Sequence, residues 1–95
     1  MELICKISQQ YPLQTRDYTD RNGNPQTFKA VGFELASGAD SFYVELTGDA
    51  ASSCGLFSKT DYYKVDLSAR AETWIDNNGQ DRHATRFYIN RIAKL

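Results

Sequence analysis

Val65-Asp66-Leu67-Ser68-Ala69-Arg70-Ala71-Glu72-Thr73-Trp74-Ile75-Asp76-Asn77-Asn78-Gly79-Gln80-Asp81-Arg82-His83-Ala84-Thr85-Arg86-Phe87-Tyr88-Ile89-Asn90 holds two alternating runs joined by a turn. Val65, Leu67, Ala69 and Ala71 alternate with Asp66, Ser68, Arg70 and Glu72, the period of a strand with one face in a core. Asp76-Asn77-Asn78-Gly79 interrupts the run with residues that tolerate positive φ, and a second strand is expected from Arg82 to about Ile92. A turn pivoting at Asn78 sets Trp74 opposite Arg82 and Arg70 opposite Arg86, with Phe87 and Ile89 on the face of Ala69 and Leu67. A pivot between Asn78 and Gly79 would bury Tyr88 and Asn90 and expose Phe87, since a slip of one residue reverses every side chain. The first register makes the better core and is the one expected, with Gly79 in a bulged turn.

Working outward, Leu3, Cys5 and Ile7 alternate with Ile4 and Lys6, so a first strand over Glu2 to Gln10 is expected with its buried phase open. Pro12 marks a break, and Gln14 to Tyr18 reads as continuing extended chain up to Asp20-Arg21-Asn22-Gly23-Asn24-Pro25, a turn. From Gln26 to Ala36, Val31, Phe33 and Leu35 recur with period two, and Gly32 suggests a bulge or bend. Ser37-Gly38-Ala39-Asp40 closes that strand. Phe42, Val44 and Leu46 alternate with Tyr43, Glu45 and Thr47 in the next, which turns Tyr43 outward. Asp49 is expected to cap a short helix through Ala50 to Cys54. The order predicts an all-β fold, a five-stranded antiparallel Greek-key barrel of the OB type with a short helix between strands three and four. A sandwich fragment or an SH3-like barrel fits the same strands. The expected core is Val31, Phe33, Leu35, Val44, Leu46, Val65, Leu67, Phe87 and Ile89.

Ninety-five residues with 41% hydrophobic content suit a single domain, 1–95. Cys5 and Cys54 stand in no metal-ligand spacing, so no cofactor or metal is expected, and both read as core thiols. His83, the one histidine, has no serine or cysteine partner in a recognisable pattern, and catalysis is not expected. No apolar stretch approaches a membrane span and no basic-then-apolar leader opens the chain, so a cytoplasmic location is expected.

Function is written in the outer face of the last hairpin. The expected register gathers Arg70, Trp74, Arg82, Arg86 and Tyr88 there, an indole and a phenol among guanidinium groups. Two arginines facing each other repel, and a phosphate between them would reverse the sign. The chain carries a net charge of −1, which excludes binding by bulk positive charge, yet residues 70–95 are net +2 while residues 34–66 are net −4. A basic, aromatic hairpin is the combination that stacks bases and neutralises phosphates on single-stranded nucleic acid.

The quoted stretch resembles the fourth strand, loop and fifth strand of bacterial single-stranded DNA-binding proteins. There an aliphatic alternation runs into a tryptophan or other aromatic, then Asp, a Gly-Gln-Asp-Arg turn, Thr and an apolar strand ending in Asn, matched here through Phe87-Tyr88-Ile89-Asn90. About 26 residues carry the likeness, and Gly48-Asp49-Ala50 falls where the family turns into its helix. The resemblance implies an OB barrel, a homodimer or homotetramer, and sequence-tolerant binding of single-stranded DNA in replication, recombination or repair. It implies stacking at Trp74; the hairpin face read from the residues adds Arg70, Arg82 and Arg86 on phosphates with the ring of Tyr88, and Phe42 or Tyr43 is the further ring of the third strand. Ser41 stands where the family opens its third strand with a tryptophan, and Thr47 replaces the aromatic before the closing glycine. The chain also ends at Leu95 without an acidic tail. Two alternatives stay open on the residues: RNA in place of DNA, because stacking does not distinguish the sugars, and an OB module for protein interaction without nucleic acid.

Overall fold

In the computed structural model, which describes residues 1–95, the quoted stretch forms a long hairpin in the expected register, with Trp74 opposite Arg82, Arg70 opposite Arg86, Ala69 opposite Phe87 and Leu67 opposite Ile89. Six strands and one helical turn make up the chain: β1 (Glu2–Gln10), β2 (Gln14–Thr19), β3 (Pro25–Ser37), β4 (Asp40–Thr47), α1 (Asp49–Ser52), β5 (Tyr62–Ile75) and β6 (Asp81–Lys94). The protein is an all-β fold of the OB type. β1 is shared between two neighbours, pairing with β5 through Glu2–Lys6 and with β3 through Lys6–Gln10. β3 pairs with β4 and β5 with β6, and a short β4–β6 pairing closes the ring.

Three expectations about the strands need correction. The segment after Pro12 is a strand of its own, β2, rather than continuing extended chain; it pairs with β3 and lies outside the closed ring, which keeps the five expected strands, here β1, β3, β4, β5 and β6. The pairing that closes the barrel is parallel, Val44 beside Phe87 and Glu45 beside Tyr88, rather than antiparallel. Gly32 causes no bulge, since the β3–β4 register runs through it unbroken; the irregularities fall between Ile7 and Gln9 and between Asp66 and Leu67. The Tyr43 ring lies across Gly32, and a Cβ there would meet the Tyr43 hydroxyl, so a larger residue would have to displace that ring.

Between strands the core forms from the expected phases. Phe33, Leu35, Val44, Val65 and Leu67 are buried with Val31 and Ile89, while Leu46 and Phe87 are only half-buried, Phe87 meeting Phe42 edge-on at 5.9 Å. Of the two phases open in β1, Cys5 and Ile7 point inward and Ile4 outward. Tyr63 is also buried, its hydroxyl accepting the Ser58 N–H at 3.1 Å, so a polar atom enters the core with a partner. α1 is shorter than expected and begins a residue earlier: Gly48, at positive φ and without a side-chain bond, occupies the N-cap, and Asp49 is the first helical residue. Ala51 anchors this turn in the core.

The β2–β3 and β5–β6 hairpins share one turn design. Asp20 Oδ1 accepts the N–H groups of Asn22 and Asn24, and Asp76 Oδ1 accepts those of Asn78 and Gln80, all at 2.9–3.0 Å. Gly23 and Gly79 take the positive φ that each loop requires. These bonds favour the carboxylate form: the Gln80 N–H, then Arg82, hold Asp76 below the ordinary aspartate value, and the Asn24 N–H does the same for Asp20. Each carboxylate therefore adds stability above the pKa of the unfolded chain, and the contribution disappears as pH falls through the lower folded value. Carboxyl NMR titration is expected to put both midpoints below the ordinary aspartate value, with Asp76→Asn removing one step from the acid limb of the stability curve. A midpoint at or above the ordinary value would refute the account.

Candidate functional site

β5 and β6 outrun the barrel: beyond Leu67 and before Phe87 the two strands pair only with each other, forming an arm tipped by the Asp76 turn. The start of β3 pairs only with β2 and makes a second arm. Both arms border one outer face of the sheet. A cleft of about 540 Å³ runs between them, lined by Gln14, Arg16 and Phe28 from one side and Glu45 and Arg86 from the other. It continues past Thr47 to Ser68, Arg70, Tyr88 and Asn90, and in the other direction along Tyr43.

Expected site residues share this face but not one patch. Tyr43, Arg70, Arg86 and Tyr88 line the clefts. Trp74, 48% exposed, and its partner Arg82 stand towards the arm tip, Trp74 about 13 Å beyond Arg70 by strand spacing. The facing arginines avoid repulsion without a ligand. Arg86 Nε binds Glu72 Oε2 at 2.8 Å and its Nη1 lies 3.6 Å from Glu45 Oε1. Arg70 instead turns onto the Tyr88 ring, its guanidinium carbon 5.8 Å from the centroid. Arg82 Nε binds Asp76 Oδ2 at 2.8 Å. The repulsion expected between Arg70 and Arg86 is thus met within the protein: Glu72, on the same strand face, and Glu45 from β4 offset the Arg86 charge.

Aromatic side chains are spread along the clefts. Tyr43 lies 6.1 Å from Tyr11, centroid to centroid, and Tyr11 donates its hydroxyl to Glu34 Oε2 at 3.2 Å. Burial, then the Glu45 charge, push the Tyr43 hydroxyl above its ordinary pKa, with Arg86 acting in the opposite sense. Phe42 packs edge-on against Phe87 at the barrel and is half-buried, yet both aromatics opening β4, Phe42 and Tyr43, line a cleft, Tyr43 being the more exposed. Sequence reasoning missed Phe28, Arg16, Tyr11 and Glu45. Phe28 shares the outward phase of Ala30 and Gly32 and could have been found from it. Arg16 faces Phe28 across β2–β3, a pairing visible only once β2 is recognised as a strand.

His83 is exposed on the far side of the arm, opposite Thr73. No three His, Cys, Asp or Glu side chains are grouped to hold a metal ion. No helix is long and apolar enough to cross a membrane.

A scan against protein-family models finds no match, and a search of curated proteins finds none. Among solved structures the chain is similar to the second OB-fold domain of replication protein A from Methanococcus maripaludis, with a TM-score of 0.60 at 13% identity over 99% of this chain and 81% of that one. At that identity the likeness speaks for the fold.

Proposed function

We propose that this OB domain binds single-stranded nucleic acid, single-stranded DNA in the first place, along the face between its two arms. The observation that carries the reading is the convergence of Tyr43, Phe28 and Tyr88 with Arg16, Arg70 and Arg86 on the clefts of one sheet face. Rings supply platforms that any base can stack on, and guanidinium groups supply charge for the backbone. A neighbour that is a domain of replication protein A supports the same direction, and the likeness of residues 65–90 to bacterial single-stranded DNA-binding proteins favours DNA over RNA.

Roles divide by what each side chain already holds. Arg70 has a ring and no carboxylate partner, so it is the arginine readiest for phosphate. Arg82 must exchange Asp76 for phosphate at the arm tip, beside Trp74. Oligo-dT is expected to quench the fluorescence of Trp74, the only tryptophan. Trp74→Ala should weaken binding by about 1–3 kcal/mol, one base stack. Arg70→Ala should lower the magnitude of the log-log salt slope by about 0.7, one phosphate contact on a single strand. Duplex DNA should compete poorly, its bases being stacked away from the clefts. Titration at about 50 mM salt, the low-salt regime where phosphate contacts are strongest, that gives neither quenching nor a mobility shift would defeat the reading. The second reading, an OB module that docks a protein, would then take its place, favoured by the acidic residues Glu34, Glu45 and Glu72 on or beside the same face.

A further inference from the structure

Glu45 stands where a surface built only for phosphates would not place an acid. It lies on the floor of adjoining clefts, its side chain only 17% exposed, and its one cationic neighbour, Arg86 Nη1, is 3.6 Å away, beyond hydrogen-bond reach. A phosphate brought to Arg86 would meet the carboxylates of both Glu45 and Glu72. A neutral base meets no such repulsion.

From this juxtaposition we infer that the pair Glu45–Arg86 reads the edge of a guanine base, which makes the clefts selective within the single-strand binding proposed above and rests on that reading. Guanine is the base whose edge runs from acceptors, N7 and O6, directly to two donors, N1–H and the N2 amino group. Arginine donors and carboxylate acceptors side by side match that order, the guanidinium on O6 and N7 and both carboxylate oxygens of Glu45 on N1–H and N2–H. Thymine offers Glu45 one donor between two acceptors. Cytosine and adenine each offer a single amino group beside an acceptor that would face the carboxylate. Space and stacking are also present. Ala30 lines the cleft beside Glu45 and Arg86 with almost no side chain, while Gly32, the cross-strand partner of Glu45, is covered by the Tyr43 ring. Tyr43, a residue 55% exposed, lies across Gly32 and offers a platform next to the carboxylate. In this arrangement Arg86 belongs to the base, and Arg70 and Arg82 remain for the backbone.

The test compares three single strands of about fifteen nucleotides, the upper end of an OB site, in a lithium buffer: all dT, a repeat of dT-dT-dG, and the same repeat with deoxyinosine, which lacks the N2 amino group. Wild-type protein is expected to bind the dG repeat roughly 5- to 100-fold more tightly than all-dT, the worth of one good bidentate pair, with the deoxyinosine repeat in between. Glu45→Gln, which keeps one acceptor and adds a donor, is expected to bind all-dT still and to lose the preference for dG. Equal affinity of the wild type for all three strands would overturn the inference while leaving single-strand binding intact. So would a Glu45→Gln protein that gains affinity for all three in parallel, because Glu45 would then only repel phosphate. Failure of every strand to bind would remove the proposed function itself, and this inference with it.

Discussion

Replacing Phe33 by alanine is expected to cost about 3–5 kcal/mol of folding stability, the range for deleting a buried aromatic ring. Phe33 is fully buried in β3, opposite Val44 on β4 and opposite Gln10 on β1, so three paired strands hold its backbone in place. Its ring meets Phe57 edge-on at 5.8 Å, and Phe57 meets Tyr63 in the same way at 5.5 Å. Strands tied on both sides cannot close over the space an alanine leaves, and the loop carrying Phe57 would lose its support. Domains of this kind have about 5–15 kcal/mol in total, so the variant should stand close to unfolding at room temperature. Urea titration should show a large fall in the midpoint at an unchanged slope. A loss below about 1 kcal/mol would mean that the site collapses freely, contrary to its pairing.

Leu67→Ala is expected to cost about 2–5 kcal/mol for the same kind of reason at another seam. Leu67 is buried opposite Ile89, just past the β5–β6 register shift that leaves Asn90 of β6 without a partner residue, and its backbone is clasped by Met1, which accepts the Leu67 N–H at 2.7 Å and donates its amino group to the Leu67 carbonyl at 3.0 Å. Side chain and backbone together fix the end of β1 against β5. Leu56, 94% exposed on the loop before β5, supplies the control. Leu56→Ala should change stability by no more than about 0.5 kcal/mol, as at an ordinary surface site. Comparable losses at 56 and 67 would show that burial is not what sets the cost.

The β5–β6 hairpin was legible because its two registers bury different residues, and only one of them keeps Phe87 and Ile89 with Leu67 and Ala69. β2 was not legible as a strand. Gln-Thr-Arg-Asp-Tyr-Thr has no apolar alternation, and all six residues are exposed, so nothing in the pattern distinguishes a paired outer strand from extended loop. The phase of β1 stayed open because Leu3, Ile4, Cys5 and Ile7 suit either face. On the site, the outward phase of the last hairpin was enough to bring Arg70, Trp74, Arg82, Arg86 and Tyr88 to one face, since cross-strand neighbours follow from register alone. That Glu45 would stand beside Arg86 depended on the parallel β4–β6 pairing between residues 43 apart in the chain, which local periodicity does not record. The bulge suggested at Gly32 is absent, and what lies against that glycine is a side chain from the next strand, which its own neighbours in sequence do not show.

Only two residue pairs, Val44 with Phe87 and Glu45 with Tyr88, join β4 to β6, whereas β5 and β6 pair along almost their whole length. The barrel is thus a long strip fastened by a short clasp, and the clefts cross the clasp itself. The spacing between Tyr43 and Tyr88 and the closure of the barrel become a single mechanical coordinate. A strand laid across both tyrosines would act as a splint, restraining the breathing of the weakest junction, and a domain that loosens there would lose its grip before it lost its fold.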